Sequence, residues 1–317
     1  MRLITGSQKK LQNHLLDFIK NNKKTPFERW LIVLPSKHLE EYLKRFLCQD
    51  SGGIIGITFL SMTGLASEIN NNAKVPPKPL LEDSPLLDFK LKEMLPKFDY
   101  ICDRSFSPAF KNSFRDLINA QVTPEVLESL SEESEGLLTD EQKQALKKLV
   151  PLYKEFIECQ KTENKSTYQE YFNFAISNVE NNNFLSSFKQ IIFYGFYDFT
   201  NLHYDLFKKV CSNYNAQVYF IYELDKNGQK VQALEFINNF YEDSILPLTN
   251  TQNSEHIHLQ EDISPLIEAS QNIFNPTQIK VENAPIKIQS ISGLLIIKLT
   301  YSKKLYPITI RFRYKIL

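Results

Sequence analysis

The sequence lacks paired cysteines, a net charge and any long hydrophobic run, and each absence removes a class of protein. Cys48, Cys102, Cys159 and Cys211 lie far apart with no C-x-x-C pair. Neither a zinc knuckle nor a redox dithiol can therefore form from sequence neighbours, and reduced, mostly buried thiols are expected. No stretch approaches the roughly 18 apolar residues of a membrane helix. The opening MRLITGSQKK lacks the charged, apolar, small-residue order of a signal peptide. A cytoplasmic protein with no membrane partner is expected. Lys and Arg number 37, as do Asp and Glu, so the formal charge is zero, which argues against a general nucleic-acid coat. The signs are nonetheless unevenly spread. Residues 1–47 carry ten bases against four acids, whereas residues 121–142 carry seven acids and no base.

What the chain does have is alternation. Short runs rich in Ile, Val, Phe and Tyr alternate with helical stripes, the pattern of a parallel sheet with crossover helices. Leu3-Ile4 begins the first strand, followed by a stripe through Leu11, Leu15, Leu16, Phe18 and Ile19. Leu31–Leu34 is a second strand stopped by Pro35, and Ser36 can cap a helix bearing Leu39, Tyr42, Leu43, Phe46 and Leu47. Ile57–Phe59 is a third, with Ser61 or Thr63 opening the next helix. Asn70 to Ser84, with its Asn run and Val75-Pro76-Pro77-Lys78-Pro79, reads as a linker. From about 84 to 182 only helical stripes occur, and Pro151 within one of them predicts a kink or boundary. Strands resume at Ile191–Phe193 and Val218–Ile221. No internal repeat is evident.

The chemistry of a nucleotide site is missing at both places where this strand order would carry it. A phosphate loop needs G-x-x-x-x-G-K-[ST], so that glycine backbone wraps the phosphates, lysine balances their charge and the hydroxyl holds magnesium. Gly6 stands in register for the first glycine, but the later positions are Leu11, Gln12 and Asn13. Lys9 and Lys10 could meet an anion at the helix start, or form a solvated first turn. The strand "IIFYGFYDFT" should end in paired acids that hold and serve magnesium. It turns instead at Tyr194-Gly195. Asp198 reads as a turn or capping residue before a helix begun by Thr200 or Asn201. His256 and His258 share one strand face if extended, but in a polar loop without a third ligand they read as exposed. No metal and no cofactor is expected.

Read as a series, "LIVLPSKHLEEYLKRF" (31–46), "ITFLSMTGLA" (57–66), "FSPAFKNSFRDLINAQVTPEVL" (106–127) and "IIFYGFYDFTNLHYDL" (191–206) resemble the N-terminal helicase-like region of AddB-type proteins. These are partners in helicase–nucleases of the PD-(D/E)XK nuclease family. "YGFYDFTNLHYDLF" is similar to the D-E-F-Q-D-T-N-x-x-Q motif of active superfamily 1 helicases and is the most specific of the four. The resemblance implies a RecA-like (P-loop NTPase-like) domain lacking ATPase motifs over 1–70 plus 185–293. It implies a mostly helical insertion over 71–184. Leu31–Pro35 and Ile57–Ser61 would stand where active relatives line single-stranded DNA, making Ser36, Lys37, Thr58, Phe59 and Ser61 the DNA-binding candidates. An AddA-like helicase–nuclease subunit is the implied partner, and recombinational DNA repair the implied process.

Two departures shape the expected function. Val218–Asp225 lacks a clear G-D-x-x-Q, though Asp225 and Gln229 lie close. Such proteins continue into a C-terminal nuclease domain, whereas 294–317 holds six bases and no acid. That tail is either a basic strand pair or an out-of-frame segment of a truncated chain. The expected activity is a non-catalytic, motor-dead scaffold that binds DNA. The competing readings are an enzyme, either a degenerate ATPase or a nuclease, and a protein-interaction module docking through 121–142 and the insertion helices. No P-D…(D/E)-x-K constellation follows residue 225, because Glu242-Asp243 and Glu261-Asp262 lack a lysine two places on. The i,i+4 pairs Glu40–Lys44 and Glu41–Arg45 offset much of the basic surface.

Overall fold

Trp30–Val33 is four consecutive apolar residues, each 1% exposed or less, as befits a strand covered on both faces of a parallel sheet. The computed structural model describes residues 1–51, 55–80, 85–100, 106–133, 138–162, 165–224, 228, 230–231, 234–251, 254–259, 286–291, 294–301 and 304–309. Among them the strands are β1 (Arg2–Gly6), β2 (Trp30–Val33), β3 (Ile57–Leu60), β4 (Gln190–Phe196), β5 (Ala216–Ile221) and β6 (Glu255–His258). They form a six-stranded parallel sheet in the order β3-β2-β4-β5-β1-β6. The fold is therefore of the α/β class. A second, antiparallel sheet of three strands joins β7 (Ile286–Ile291), β8 (Leu294–Tyr301) and β9 (Lys304–Thr309). In backbone terms, part of the basic tail is therefore a strand pair.

The chain divides into two compact units: Met1–Arg2 with Phe18–Val218, and Leu3–Asp17 with Tyr219–Leu317. In the first unit β2 is the shared neighbour, with Leu31 opposite both Thr58 of β3 and Ile191 of β4. Helix α2 (Lys37–Ser51) follows β2 and α3 (Met62–Asn71) follows β3. Six helices and a 3-10 turn come before β4. They are α4 (Pro85–Met94), the turn Leu95–Phe98, α5 (Phe106–Asn119), α6 (Pro124–Glu133), α7 (Asp140–Thr162), α8 (Tyr168–Ser177) and α9 (Asn183–Ser186). The core of this helical group is aromatic: Phe114 packs 5.1 Å from Tyr153 and 4.9 Å from Phe156, centroid to centroid, and the Tyr153 hydroxyl donates to the Val122 carbonyl at 2.9 Å.

Several expectations change here. Helix α7 runs through Pro151 without a boundary; the missing N–H costs one intrahelical bond, while Leu152, Tyr153 and Phe156 keep the helix in place by burial. Asn70 is no linker residue. It lies in the last turn of α3, fully buried, and its Nδ2 donates to the Tyr171 carbonyl at 3.1 Å. Strand β4 does not turn at Tyr194 but continues to Phe196. Cys48 is exposed and Cys159 half-buried; among the described cysteines only Cys211 is buried.

Helix α10 (Asn201–Asn213) is capped by Thr200, whose hydroxyl accepts from His203 N at 3.4 Å. The His203 Nε2 lies 3.1 Å from the Tyr168 hydroxyl, and burial lowers its imidazole from 6.5 to about 4. Between those values the unfolded chain holds a proton that the folded chain does not, so stability falls as pH drops from about 6.5 toward about 4. The separation corresponds to roughly 3 kcal/mol. His203→Gln is expected to flatten the urea midpoint across that window; an unchanged pH slope would refute burial of a neutral imidazole as its source.

Candidate functional site

In open parallel sheets ligands gather at the carboxyl ends of the strands. In the first unit that edge is formed by the ends of β2, β3 and β4, held level by Val33 opposite both Leu60 and Phe193 and by a Leu34 N to Leu60 O bond of 2.9 Å. The edge brings Ser36, Lys37 and Ser61 together, all exposed. Each serine already has a structural task. The Ser36 hydroxyl accepts from Leu39 N at 3.3 Å at the start of α2, and the Ser61 hydroxyl accepts from Gly64 N at 3.1 Å to cap α3. Lys37 opens α2 and extends into solvent.

Thr58 and Phe59 are successive residues of one strand, so their side chains leave opposite faces. They cannot serve a single surface. Phe59 is half-buried, and the Lys44 ammonium sits 5.1 Å from its ring centroid, a contact worth about 0.5–1 kcal/mol at exposed sites. Lys44 also pairs with Glu40, and Arg45 stands 4.0 Å from Glu41, the two helix-surface pairs expected from spacing. Two aromatics escaped the sequence reading. Tyr42 on α2 is 48% exposed and Tyr197, just after β4, is 46% exposed. Tyr42 had been counted in the apolar stripe of α2, and an alternating strand pattern does not reach Tyr197. Helical-wheel position with explicit burial would have separated Tyr42 from Leu43 and Leu47.

The Tyr-Gly in β4 has a packing cause. Gly195 has φ +78°, a left-handed conformation that side chains rarely adopt. A Cβ there would stand 2.4 Å from Leu39 Cδ2, where α2 crosses the strand. Both facts bar an acid at this position. Tyr194 is 2% exposed; burial, then the neighbouring Tyr42, pushes its phenol well above the ordinary range. A carboxylate at 194 would meet the same desolvation. Asp198 lies in the exposed bend beyond the strand, its carboxyl raised by partial desolvation. Thr200, not Asp198, caps α10.

In the second unit the segment that follows β1 is helical almost at once. β1 ends at Gly6 and α1 (Gln8–Asn22) starts at Gln8, so Ser7 alone connects them. A phosphate-wrapping loop needs several residues of free backbone N–H. Here Leu11 N already bonds Ser7 O at 2.9 Å, and Leu11, Gln12 and Asn13 sit within the helix, the first two buried and the third exposed. Gly6 instead permits close approach of Leu259, whose Cβ would stand 3.0 Å from an added Cβ. Gln12 Nε2 is buried with no hydrogen-bond partner among the described residues.

Asp225, Gln229 and Glu261-Asp262 lie outside the described residues. Glu242 is paired to Lys230 at 2.5 Å. His256 and His258 are not in a loop: both belong to β6 and both meet the buried Thr5 hydroxyl. Among the described residues, no group of three or more His, Cys, Asp or Glu is arranged to hold a metal, and no helix is long and apolar enough to cross a membrane.

No family model matches the chain, and no curated protein matches it significantly. Among solved structures it is similar to VirB4 of Thermoanaerobacter pseudethanolicus, at 13% identity over 98% of this chain and 89% of that one, with a TM-score of 0.28. An overlap that loose carries no argument about function.

Two substitutions separate these packing causes from a vestigial site. Gly195→Ala is expected to cost about 2–4 kcal/mol from positive φ and overpacking together. In the Leu39→Ala background the steric part disappears, so urea denaturation should show a coupling of about 1–3 kcal/mol; simple additivity would reject the Leu39 contact. Gln12→Leu removes a buried amide nitrogen with no hydrogen-bond partner among the described residues and should leave stability unchanged or raise it by about 1 kcal/mol. A loss of several kcal/mol in the same assay would mean that the amide has a partner.

Proposed function

We propose that this chain is the non-catalytic, helicase-like portion of an AddB-type subunit of a double-strand-break repair helicase–nuclease. In this reading it binds single-stranded DNA and docks an AddA-like partner without hydrolysing nucleotide. The observation that supports the reading is a parallel sheet in which two places a nucleotide site would use are closed: a one-residue turn at Ser7 after β1, and Gly195 under Leu39 near the end of β4. A RecA-like fold without its motor retains the carboxyl edge as a surface. Lys37 at that edge, Tyr197 just after β4 and Tyr42 on α2 are exposed, a cation with aromatic faces, which is the combination that tracks a single strand by charge and stacking.

A second reading has its own support. Phe89 on α4 and Val126 and Leu130 on α6 are exposed apolar residues of the helical group, and the Glu40–Lys44 and Glu41–Arg45 pairs neutralise much of α2. Such a chain would bind protein and not DNA.

Fluorescence anisotropy of a labelled single-stranded oligonucleotide across a salt series distinguishes the two. The DNA scaffold predicts binding that weakens steeply with salt and is indifferent to Mg-ATP. Lys37→Ala should weaken binding and lower the salt slope by about one, while Tyr42→Ala and Tyr197→Ala should each cost about 1–3 kcal/mol if they stack on bases. No binding, or binding independent of salt, discards the DNA surface in favour of the interaction module; dependence on ATP would overturn the motor-dead reading.

A further inference from the structure

The edge strand β6 presents two imidazoles to one hydroxyl. Residues i and i+2 of a strand share a face, so His256 and His258 both point at Thr5 of β1. His256 Nε2 and His258 Nδ1 each lie 3.0 Å from the Thr5 Oγ1. The Tyr241 hydroxyl stands 3.3 Å from the same His256 nitrogen, and the backbone is closed alongside by Leu259 N donating to Thr5 O at 2.7 Å. All of these residues belong to the second unit.

We propose that Thr5, His256 and His258 form a binding site for a divalent transition-metal ion of the zinc class, with the two imidazole nitrogens and the threonine hydroxyl as ligands and solvent completing the shell. The geometry is the argument. Zinc bonds of about 2.0–2.1 Å in tetrahedral array set ligand atoms roughly 3.3 Å apart. The nitrogen–oxygen separations here are 3.0 and 3.0 Å, so an ion can enter with small side-chain rotations. The ligand chemistry is appropriate as well, because imidazole suits zinc, copper and nickel and binds in its neutral form. The Tyr241 hydroxyl shares the His256 Nε2 and would have to give up that contact to admit the ion, because the nitrogen has one lone pair. Both imidazoles are exposed at the sheet edge, which leaves an entry path. The bound ion would fasten the edge strand β6 to β1.

The test is zinc titration of the full chain in metal-free buffer, in competition with a chelating dye. One ion is expected to bind, and His256→Asn and His258→Asn should each weaken it by about 10–100-fold while circular dichroism stays unchanged. Zinc should also raise the melting temperature of the unaltered chain and not that of the double variant. Zinc affinity equal in the unaltered chain and both variants would overturn the proposal, leaving adventitious binding, for instance at the exposed Cys48. Should a variant fail to fold, Cu(II) electron paramagnetic resonance on the unaltered chain decides. Coupling to two imidazole nitrogens supports the site, and coupling to one or none rejects it.

Discussion

The pairing of β2 with both β3 and β4 is the constraint on which the first unit depends. Trp30 to Val33 hydrogen-bond to 57–60 on one side and 190–193 on the other. The first neighbour is near in sequence, while the second is separated by the whole helical group. For β2 and β4 to pair, that excursion must return the chain to its starting point, and loop closure of such length costs entropy that grows only slowly with length. The cost is offset where the excursion closes. Asn182, 4% exposed, donates from Nδ2 to the Ile69 carbonyl at 3.1 Å, while its Oδ1 accepts from Phe184 N at the start of α9. One side chain therefore ties the end of α3 to the residues that precede β4. Asn70 repeats the device against Tyr171 of α8. Tyr168 adds hydroxyl contacts to Thr63 and His203. The helical group is thus packed into the unit rather than tethered to it.

The same pairing explains what happens at the carboxyl edge. With β4 fixed against β2, helix α2 leaves β2 and returns over the end of β4, and Leu39 meets Gly195 there. A nucleotide site at this point would need room for a metal and a phosphate. Here the room is taken by a leucine, and Phe196, Phe199 and Phe207 stack beyond it at 4.6 and 4.8 Å. The edge is apolar and filled. Polar function, if exerted from this edge, is left to the exposed outer residues, which is why the competition between capping and ligand contact at Ser36 and Ser61 matters.

Much of the fold was legible because hydrophobic periodicity reports burial. The strands at Leu31, Ile57, Ile191 and Val218 stand out as apolar runs, and Ser36, Ser61 or Thr63, and Thr200 or Asn201 as capping candidates, of which the structure uses Ser61 and Thr200 for α3 and α10, since cap chemistry is local. What escaped depends on partners distant in sequence. Asn70 looks like linker composition until Tyr171 supplies its acceptor. Pro151 looks like a break until burial of its neighbours outweighs one lost hydrogen bond. His256 and His258 look like loop residues until Thr5, some 250 positions away, supplies the strand beside them. Tyr42 fell on the wrong side of a helix because a stripe of five apolar residues does not say where its edge lies. At the candidate site, the absence of nucleotide-site residues was visible at Leu11, Gln12, Tyr194 and Gly195, but its cause was not: the one-residue turn at Ser7 and the positive φ at Gly195 are properties of backbone.

That distinction bears on whether a nucleotide site could be built here. When only side chains of a catalytic site are lost, restoring them can return chemistry, because the backbone still presents its N–H groups to the phosphate. Here the helix begins where the loop would be, so the N–H of Leu11 is already bonded to Ser7. A lysine at position 12 would project from a formed helix, at a buried site, with no phosphate cradle before it. An acid at 195 would face both a disfavoured backbone conformation and Leu39. Each restoration opposes packing that stabilises its own unit, and repairing one leaves the other unchanged. The barrier to nucleotide chemistry thus lies in the packing of α1 and α2. Under the scaffold reading, binding energy for a partner or a single strand must come from surfaces that this packing leaves exposed.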